Sequence, residues 1–167
     1  MKKLSVISLP VIAALCALFT GTAAAQAKAG DVAAGKTKAA MCIGCHGIPG
    51  YKASFPEIHR VPMISGQNAK YIVAALNAYK AGERKHPTMR GIADSLSEQD
   101  MADVAAYYEQ HGKTDVQPGA PRAADAKVAA LLQKGACVSC HGDNFSKPVD
   151  PSYPKIAGQF QDYLFVA

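Results

Sequence analysis

Two short segments of the sequence combine cysteine and histidine at the same spacing. They are Cys42-Ile43-Gly44-Cys45-His46 and Cys137-Val138-Ser139-Cys140-His141. Two thiols three positions apart lie on one helical turn and can both bond to the vinyl groups of one porphyrin, while the histidine that follows can ligate its iron. The sequence therefore predicts two covalently bound haem c groups. The thioether positions and proximal ligands are predicted to be Cys42, Cys45, Cys137, Cys140, His46 and His141.

Zinc binding, a redox disulfide and structural disulfides are the competing interpretations of paired cysteines. A zinc ribbon places its second cysteine pair about 15–20 residues after the first, whereas 91 residues lie between Cys45 and Cys137. A thioredoxin-like motif requires a strand followed by a helix, which neither segment is predicted to have. Because none of these alternatives requires a histidine after both pairs, haem attachment is the preferred interpretation.

The cysteine motifs belong to a longer internal repeat. A P-x-I-x-G-Q segment follows each of them, at residues 62–67 in one copy (with Met63 at its second position) and at residues 154–159 in the other. A tyrosine and four apolar residues come next, at 71–75 and at 163–167. Between the copies, residues 113–124 contain a P-G-A-P sequence, which is typical of a linker.

The N-terminal residues have the composition of a secretion signal. Two lysines precede an apolar stretch from Leu4 to Phe19, and Ala23-Ala24-Ala25 provides an A-x-A cleavage signal. The stretch is short for a bilayer span, which disfavours the alternative of a retained membrane anchor. Residues 1–25 are therefore predicted to be a signal peptide that is removed together with Cys16, and the mature protein is expected in the periplasm.

The apolar periodicity predicts helices and no strands. Asp31 is placed to cap a first helix that runs to about Met41 and leads into the first cysteine motif. Gly35 would allow this helix to cross another closely, with Tyr107 or Tyr108 as its partner. The alternative is that Gly35 simply weakens an exposed helix.

Two further helices have clear boundaries in the sequence. Apolar residues at helical spacing predict a helix over residues 69–81, with Gly82 as its terminator. Ser97, with Asp100 three positions later, forms a capping box that begins a helix ending at Gly112. The buried stripe of this helix is predicted to comprise Met101, Val104, Ala105 and Tyr108.

The tandem C-x-x-C-H segments, the P-x-I-x-G-Q segment after each, and P-T-M at residues 87–89 resemble the di-haem class I cytochromes of the cytochrome c4 group. The resemblance covers Gly30 to Ala167. It implies an all-α fold of two tandem class I cytochrome c domains, and a protein that transfers electrons rather than an enzyme. The second domain is expected to be incomplete, because the repeat aligns Ala167 with Ala75, well before the counterpart of Met89.

This interpretation divides the chain into four segments. They are a signal peptide (1–25), cytochrome c domain 1 (26–112), a linker (113–124) and a partial cytochrome c domain 2 (125–167).

The distal ligand of the first haem is predicted to be Met89. This residue is expected on an irregular loop between two helices, where Pro87 stiffens the chain, and its position matches the ligand of the family that the sequence resembles. His86 and Met63 remain alternatives. No distal ligand is identified for the second haem. Two other histidines of this region are expected at the surface: His59 and His111.

The expected function is electron transfer in a respiratory chain, with donation to a terminal oxidase. The alternatives are an electron-accepting subunit of a periplasmic dehydrogenase complex and, with less support, a haem peroxidase that uses an open second haem. The expected partners are redox proteins: an oxidase, a cytochrome bc1-type complex or a dehydrogenase. Membrane association is expected only through these partners. The formal charge of +5 without any basic block gives no reason to expect nucleic acid.

Overall fold

A computed structural model describes residues 29–53, 57–112 and 123–167. The predicted signal peptide and most of the predicted linker lie outside these residues. The described residues form eight helices and a single antiparallel bridge between Lys52 and Arg60, and none of these helices has the length and apolar character needed to cross a membrane. The helices are α1 (Val32–Lys38), α2 (Ala40–His46), α3 (Ala69–Ala81), α4 (Pro87–Asp94), α5 (Glu98–Gln110), α6 (Ala126–Lys134), α7 (Val138–His141) and α8 (Gln161–Val166).

The first helical region begins as predicted but is divided in two. The Asp31 carboxylate accepts hydrogen bonds from the backbone N–H groups of Ala33 and Ala34, as expected of an N-cap. The single helix predicted to run to about Met41 is instead α1 followed by α2. The break occurs at the fully buried Ala39, whose ψ of −10° departs from the α-helical value. The second piece carries the first cysteine motif.

Helix α1 crosses α5 at very short range, which favours the first of the two interpretations of Gly35. A Cβ atom on Gly35 would lie 2.8 Å from Cβ of Tyr107. Gly30 makes an equivalent approach, since its Cβ would lie 2.9 Å from Cβ of Ala106. Gly35 therefore lets the backbones of α1 and α5 touch, and Gly30 lets the segment before α1 approach α5 equally closely. This crossing anchors the region that leads into the first cysteine motif.

The boundaries predicted for α3 are confirmed, and α5 begins where predicted but ends at Gln110, two residues before Gly112. Helix α3 ends at Gly82, whose φ of 78° is the left-handed conformation that glycine adopts at little cost. Helix α5 begins with the capping box of Ser97 and Asp100. The buried core combines these helices with α4, and it includes all four residues predicted for α5. Its members are Ala39, Ile72, Leu76, Ala93, Leu96, Met101, Val104, Ala105 and Tyr108.

The segment around Met89 is a helix and not the irregular loop that was predicted. Pro87 occupies the first turn of α4, where its missing N–H leaves no bond unsatisfied. The His86 side chain accepts a hydrogen bond from the backbone N–H of Met89, with 3.3 Å between nitrogen atoms. The proline that suggested a loop therefore begins a capped helix, and Met89 is fixed within its first turn.

The helices of the second copy of the repeat are less buried than those of the first. None of its helices α6, α7 and α8 contains a buried residue. It lies against the first copy through polar contacts. Arg60 pairs with Asp162, with 2.9 Å between Nε and Oδ1, and its guanidinium lies 4.6 Å from the centre of the Phe160 ring. These contacts bring the two halves of the repeat together.

Candidate functional site

A cavity of about 650 Å³ lies beside the first cysteine motif. Its walls are mainly apolar and come from both copies of the repeat. The apolar stripe of α3 serves both the core and the cavity. Ile72 and Leu76 are buried in the core and also line the cavity, while Tyr79 lines the cavity and packs against the core. The predicted haem residues that line it are Cys42, Cys45, His46 and Met89. Folding thus brings together the four residues assigned to one haem.

His46 is held in a fixed orientation at the end of α2. Its Nδ1 lies 2.8 Å from the carbonyl oxygen of Pro62, so that Nδ1 carries the proton and donates it. The other ring nitrogen, Nε2, then has a free lone pair, which is the form needed to ligate a metal. Burial lowers the pKa of His46 and keeps the ring neutral. Burial also raises the pKa of the Cys42 thiol.

The second motif repeats this arrangement. His141 Nδ1 lies 3.0 Å from the carbonyl oxygen of Pro154, the residue that corresponds to Pro62. Cys137 and Cys140 are free, half-buried thiols. In the described part of the chain, no three His, Cys, Asp or Glu side chains form a group able to hold a metal ion. The zinc interpretation therefore has no ligand set among these residues.

The candidate distal ligands differ in how the structure holds them. Met89 lines the cavity, and its backbone N–H is bonded by the cap on α4. His86 also lines the cavity, but its Nδ1 is occupied as that cap. Met63 lines the cavity as well and is 42% exposed. Of the two methionines, Met89 is the half-buried one and packs against the core.

One histidine lies where it was not expected. His59 was predicted at the surface, but it is only 8% exposed and lines the cavity. Its ring packs 6.3 Å from the ring of His86 and 5.9 Å from that of Tyr163, centre to centre. Burial comes partly from the second copy, a contact that local spacing does not reveal. His111 is exposed, as predicted.

Arg84 is a component of the cavity that the sequence did not identify. Its guanidinium donates to the hydroxyls of Tyr71 and Tyr163 over 2.9 and 3.0 Å, and it lies 4.7 Å from the centre of the Tyr79 ring. It has no carboxylate partner among the ion pairs of the described residues. The cavity therefore holds a positive charge with no acidic partner in the described structure. No motif marks this arginine in the sequence.

The residues present fit a covalently attached haem. The cavity volume lies within the range of cofactor sites, and its walls suit an apolar macrocycle. Two thiols, an imidazole with a free nitrogen and a thioether line the cavity, and these are the groups that could attach a haem and ligate its iron. Arg84 and its two tyrosines supply donors suited to a carboxylate, the group that haem carries on its propionates. The thiols, the imidazole, the thioether and the guanidinium thus each have a counterpart on the cofactor.

Comparison with known proteins also indicates a protein that carries covalently attached haem. A family model described as cytochrome c matches residues 32–111. The chain is 34% identical to cytochrome c4 of Azotobacter vinelandii over 81% of its own length and 70% of that protein. It is 30% identical to a thiosulfate dehydrogenase electron acceptor of Thiomonas intermedia, over 92% of its length and 70% of that protein.

A solved structure supports the similarity of fold. Reduced recombinant cytochrome c4 from Pseudomonas stutzeri superimposes with a TM-score of 0.54 and 32% sequence identity. The match covers 79% of this chain and 75% of that protein. Similarity therefore extends beyond the first cysteine motif into the second copy of the repeat.

Proposed function

The chain belongs to the cytochrome c4 group of di-haem cytochromes, and from this premise we propose that it is a periplasmic carrier that delivers electrons to a terminal oxidase. Its membership makes it an electron carrier with two covalently bound haems and redox proteins as partners. Haem iron, when bound, alternates between ferric and ferrous states and so holds one electron. The single observation that supports the assignment of residues is that one apolar cavity collects Cys42, Cys45, His46 and Met89.

We propose the following roles for these residues and for the second motif. Cys42 and Cys45 attach the first haem, with His46 and Met89 as its axial ligands. Cys137 and Cys140 attach the second haem, and His141 is its proximal ligand. The equivalent hydrogen bonds of the two histidines to proline carbonyls support giving them the same role.

Arg84 is proposed to neutralise a haem propionate. A half-buried guanidinium without a carboxylate partner is costly in an apolar cavity, and a bound carboxylate removes that cost. The Tyr71 and Tyr163 hydroxyls fix the guanidinium in place. Because Tyr163 belongs to the second copy of the repeat, the docking of that copy helps to form the site of the first haem.

The domain organisation is proposed on the same basis. Residues 26–112 and 125–167 would each carry one haem and would be joined by residues 113–124, with residues 1–25 removed on secretion. The hydrophobic core of the described residues lies wholly within the first of these segments. The second would depend on its haem and on contacts with the first segment for order.

The proposed oxidase donation is tested with membranes of the source organism. The purified, reduced protein is mixed with washed membranes, and its oxidation is followed in the visible spectrum with and without cyanide. Donation to a terminal haem–copper oxidase predicts rapid oxidation that cyanide abolishes. Oxidation no faster than that without membranes would contradict the proposal.

A second candidate is the electron-accepting subunit of a dehydrogenase complex, favoured by the similarity to a thiosulfate dehydrogenase electron acceptor. Size-exclusion chromatography of a native periplasmic extract, followed by haem staining, distinguishes the two. A free carrier elutes as a single small di-haem protein, at the size of its own polypeptide. A subunit elutes in a larger complex, and addition of thiosulfate to the extract then reduces its haems.

A further inference from the structure

Gln67 and Gln159 occupy equivalent positions of the repeat. Each forms hydrogen bonds to the other copy of the repeat, in the same way. Gln159 accepts a hydrogen bond from the backbone N–H of Met63 over 3.0 Å and donates one to the Met63 carbonyl over 2.9 Å. Gln67 does the same with Lys155, over 3.0 and 2.9 Å. Met63 and Lys155 are themselves equivalent, since each is the second residue of its P-x-I-x-G-Q segment. The contact between the copies is therefore reciprocal.

Each glutamine bonds to the same peptide unit that holds a histidine. The carbonyl of the Pro62–Met63 peptide accepts from His46 Nδ1, and the N–H of that peptide donates to Gln159 Oε1. The Pro154–Lys155 peptide likewise connects His141 to Gln67. A continuous chain of two hydrogen bonds thus runs from the histidine of one copy through a peptide to the glutamine of the other.

The directions of these hydrogen bonds are fixed by chemistry. A backbone N–H can only donate and a carbonyl can only accept, so the glutamine oxygen must face the N–H and its nitrogen the carbonyl. The proline carbonyls likewise require a proton on Nδ1 of each histidine. All the dipoles in one chain therefore point the same way, the condition under which consecutive hydrogen bonds strengthen one another.

We propose that Gln159 tunes the reduction potential of the haem on His46, and that Gln67 tunes that of the haem on His141, each acting across the boundary between the copies. The hydrogen bond to the peptide N–H makes the proline carbonyl a stronger acceptor, which gives the imidazole more negative character. A more basic imidazole stabilises ferric iron and lowers the potential. Gln67 and Gln159 are thus positioning residues, and the inference rests on the proposed ligand roles of His46 and His141.

The two hydrogen-bond chains differ in their exposure to solvent, so the proposal also predicts which haem potential should shift more. Gln67 is 7% exposed, whereas Gln159 is half-buried and its partner Met63 is 42% exposed. A hydrogen bond in a less polar environment is electrostatically stronger. Substitution of Gln67 should therefore change the haem on His141 more than substitution of Gln159 changes the haem on His46.

The test is a spectroscopic redox titration of the di-haem protein and of three variants. The variants are Gln159→Met, Gln67→Met and the control Asn68→Ala, which removes a 3.4 Å hydrogen bond to Tyr153 between the copies without touching either histidine-bearing peptide. The far-red absorption of the methionine-ligated haem identifies the first haem, and the Soret band reports both. The Nδ1 proton resonances of the reduced protein provide a second measurement.

We expect Gln159→Met to raise the reduction equilibrium constant of the first haem alone, by about two- to tenfold, given cooperative strengthening of roughly 10–30% per bond. A tenfold change corresponds to about 59 mV for one electron. Gln67→Met should raise the reduction equilibrium constant of the second haem alone. The control Asn68→Ala should change neither constant. In each glutamine variant, the Nδ1 proton of the affected histidine should move upfield, as for a weaker hydrogen bond.

A purely structural role of the glutamines predicts shifts in reduction potential of the opposite sign. If the glutamines only hold the copies together, their loss lets water reach both haems, which stabilises the charged ferric form and lowers both potentials. That result, or no shift in either variant, would overturn the proposal. Should a methionine variant carry fewer than two haems, Gln159→Asn or Gln67→Asn breaks the same bonds with less change of shape. Failure of the histidine assignment itself would show separately, because no Nδ1 proton of a haem-bound histidine would then be found in the reduced, unsubstituted protein.

Discussion

The α-carbon of Gly35 lies directly against the backbone carbonyl of Asp103. A Cβ atom built on Gly35 would stand 2.0 Å from that oxygen, far inside the contact distance. Because the neighbouring atom is backbone within a buried helix, it cannot rotate away as a side chain would. The crossing of α1 and α5 therefore requires glycine at this position, and the first cysteine motif follows directly from α1 in the chain.

Replacing Gly35 with alanine should lower the free energy of unfolding by about 1–3 kcal/mol or more, since an added methyl group forces the helices apart. Guanidinium titration of the haem-loaded protein measures the change. Gly91→Ala is the matched control, because nothing lies within 4 Å of its Cβ position in α4. Alanine there should be neutral or slightly stabilising. Equal stability of the two variants would show that the close crossing does not persist in solution.

The parts of the fold that could be predicted depend on local signals. The capping box of Ser97 and Asp100, the left-handed Gly82 and the cap at Asp31 all act within a few residues, so the sequence carries them directly. The sequence does not predict the helix at Met89, because Pro87 is compatible with a stiffened loop as well as with a first helical turn.

The unpredicted parts of the site depend on contacts between the two copies of the repeat. His59 is buried in part by Tyr163, and Arg84 is oriented by the same tyrosine. The repeated glutamines were visible as a pattern, but their role depends on which peptide each one meets across the boundary. Spacing along the chain does not specify such pairings, because they are set by how two folded units dock.

Asp103 should make the protein sensitive to acid. Its carboxylate accepts hydrogen bonds from the backbone N–H of Asp31, from Lys38 and from Gln99, over 2.8, 2.6 and 2.8 Å. These bonds hold its pKa below the usual value, chiefly through the N–H of Asp31 and then through Lys38. With the folded pKa below the unfolded one, the stabilisation is complete above about pH 4 and declines as the pH falls further.

The Asp103→Asn variant should be less stable at neutral pH and should lose part of this dependence. The measurement is the free energy of unfolding at pH 7 and at pH 3, where the drop should be smaller than in the unsubstituted protein. Asp94→Asn is the control, because Asp94 is 53% exposed and its only ion pair within the described residues is a 4.0 Å contact with Arg90. If both variants keep the full acid dependence, the carboxylate of Asp103 does not carry it.

Haem content tests both cysteine motifs independently. Protein matured with a haem-attachment system should stain for haem after denaturation, and its mass should exceed that of the mature polypeptide by two haems, since thioether bonds survive denaturation. Replacing Cys137 and Cys140 together with serine should remove one haem and leave the spectrum of the first. Cys16→Ser should change nothing, because Cys16 belongs to the predicted signal peptide. A mass increase of only one haem in the unsubstituted protein would show that one of the two motifs does not attach haem.

Met89 and Met63 both line the cavity, so substitution of each separates the two assignments. Met89→Ala should abolish the weak far-red absorption that arises from a sulfur–iron bond, and should lower the potential of the first haem by on the order of 0.1 V, because thioether ligation favours ferrous iron. Met63→Ala should keep both the band and the potential, since Met63 is 42% exposed and corresponds to Lys155 in the second copy of the repeat. Met89 is also held by the cap on α4, which an exposed loop residue lacks. Loss of the band in the Met63 variant, with the Met89 variant unchanged, would reassign the ligand to the segment before α3.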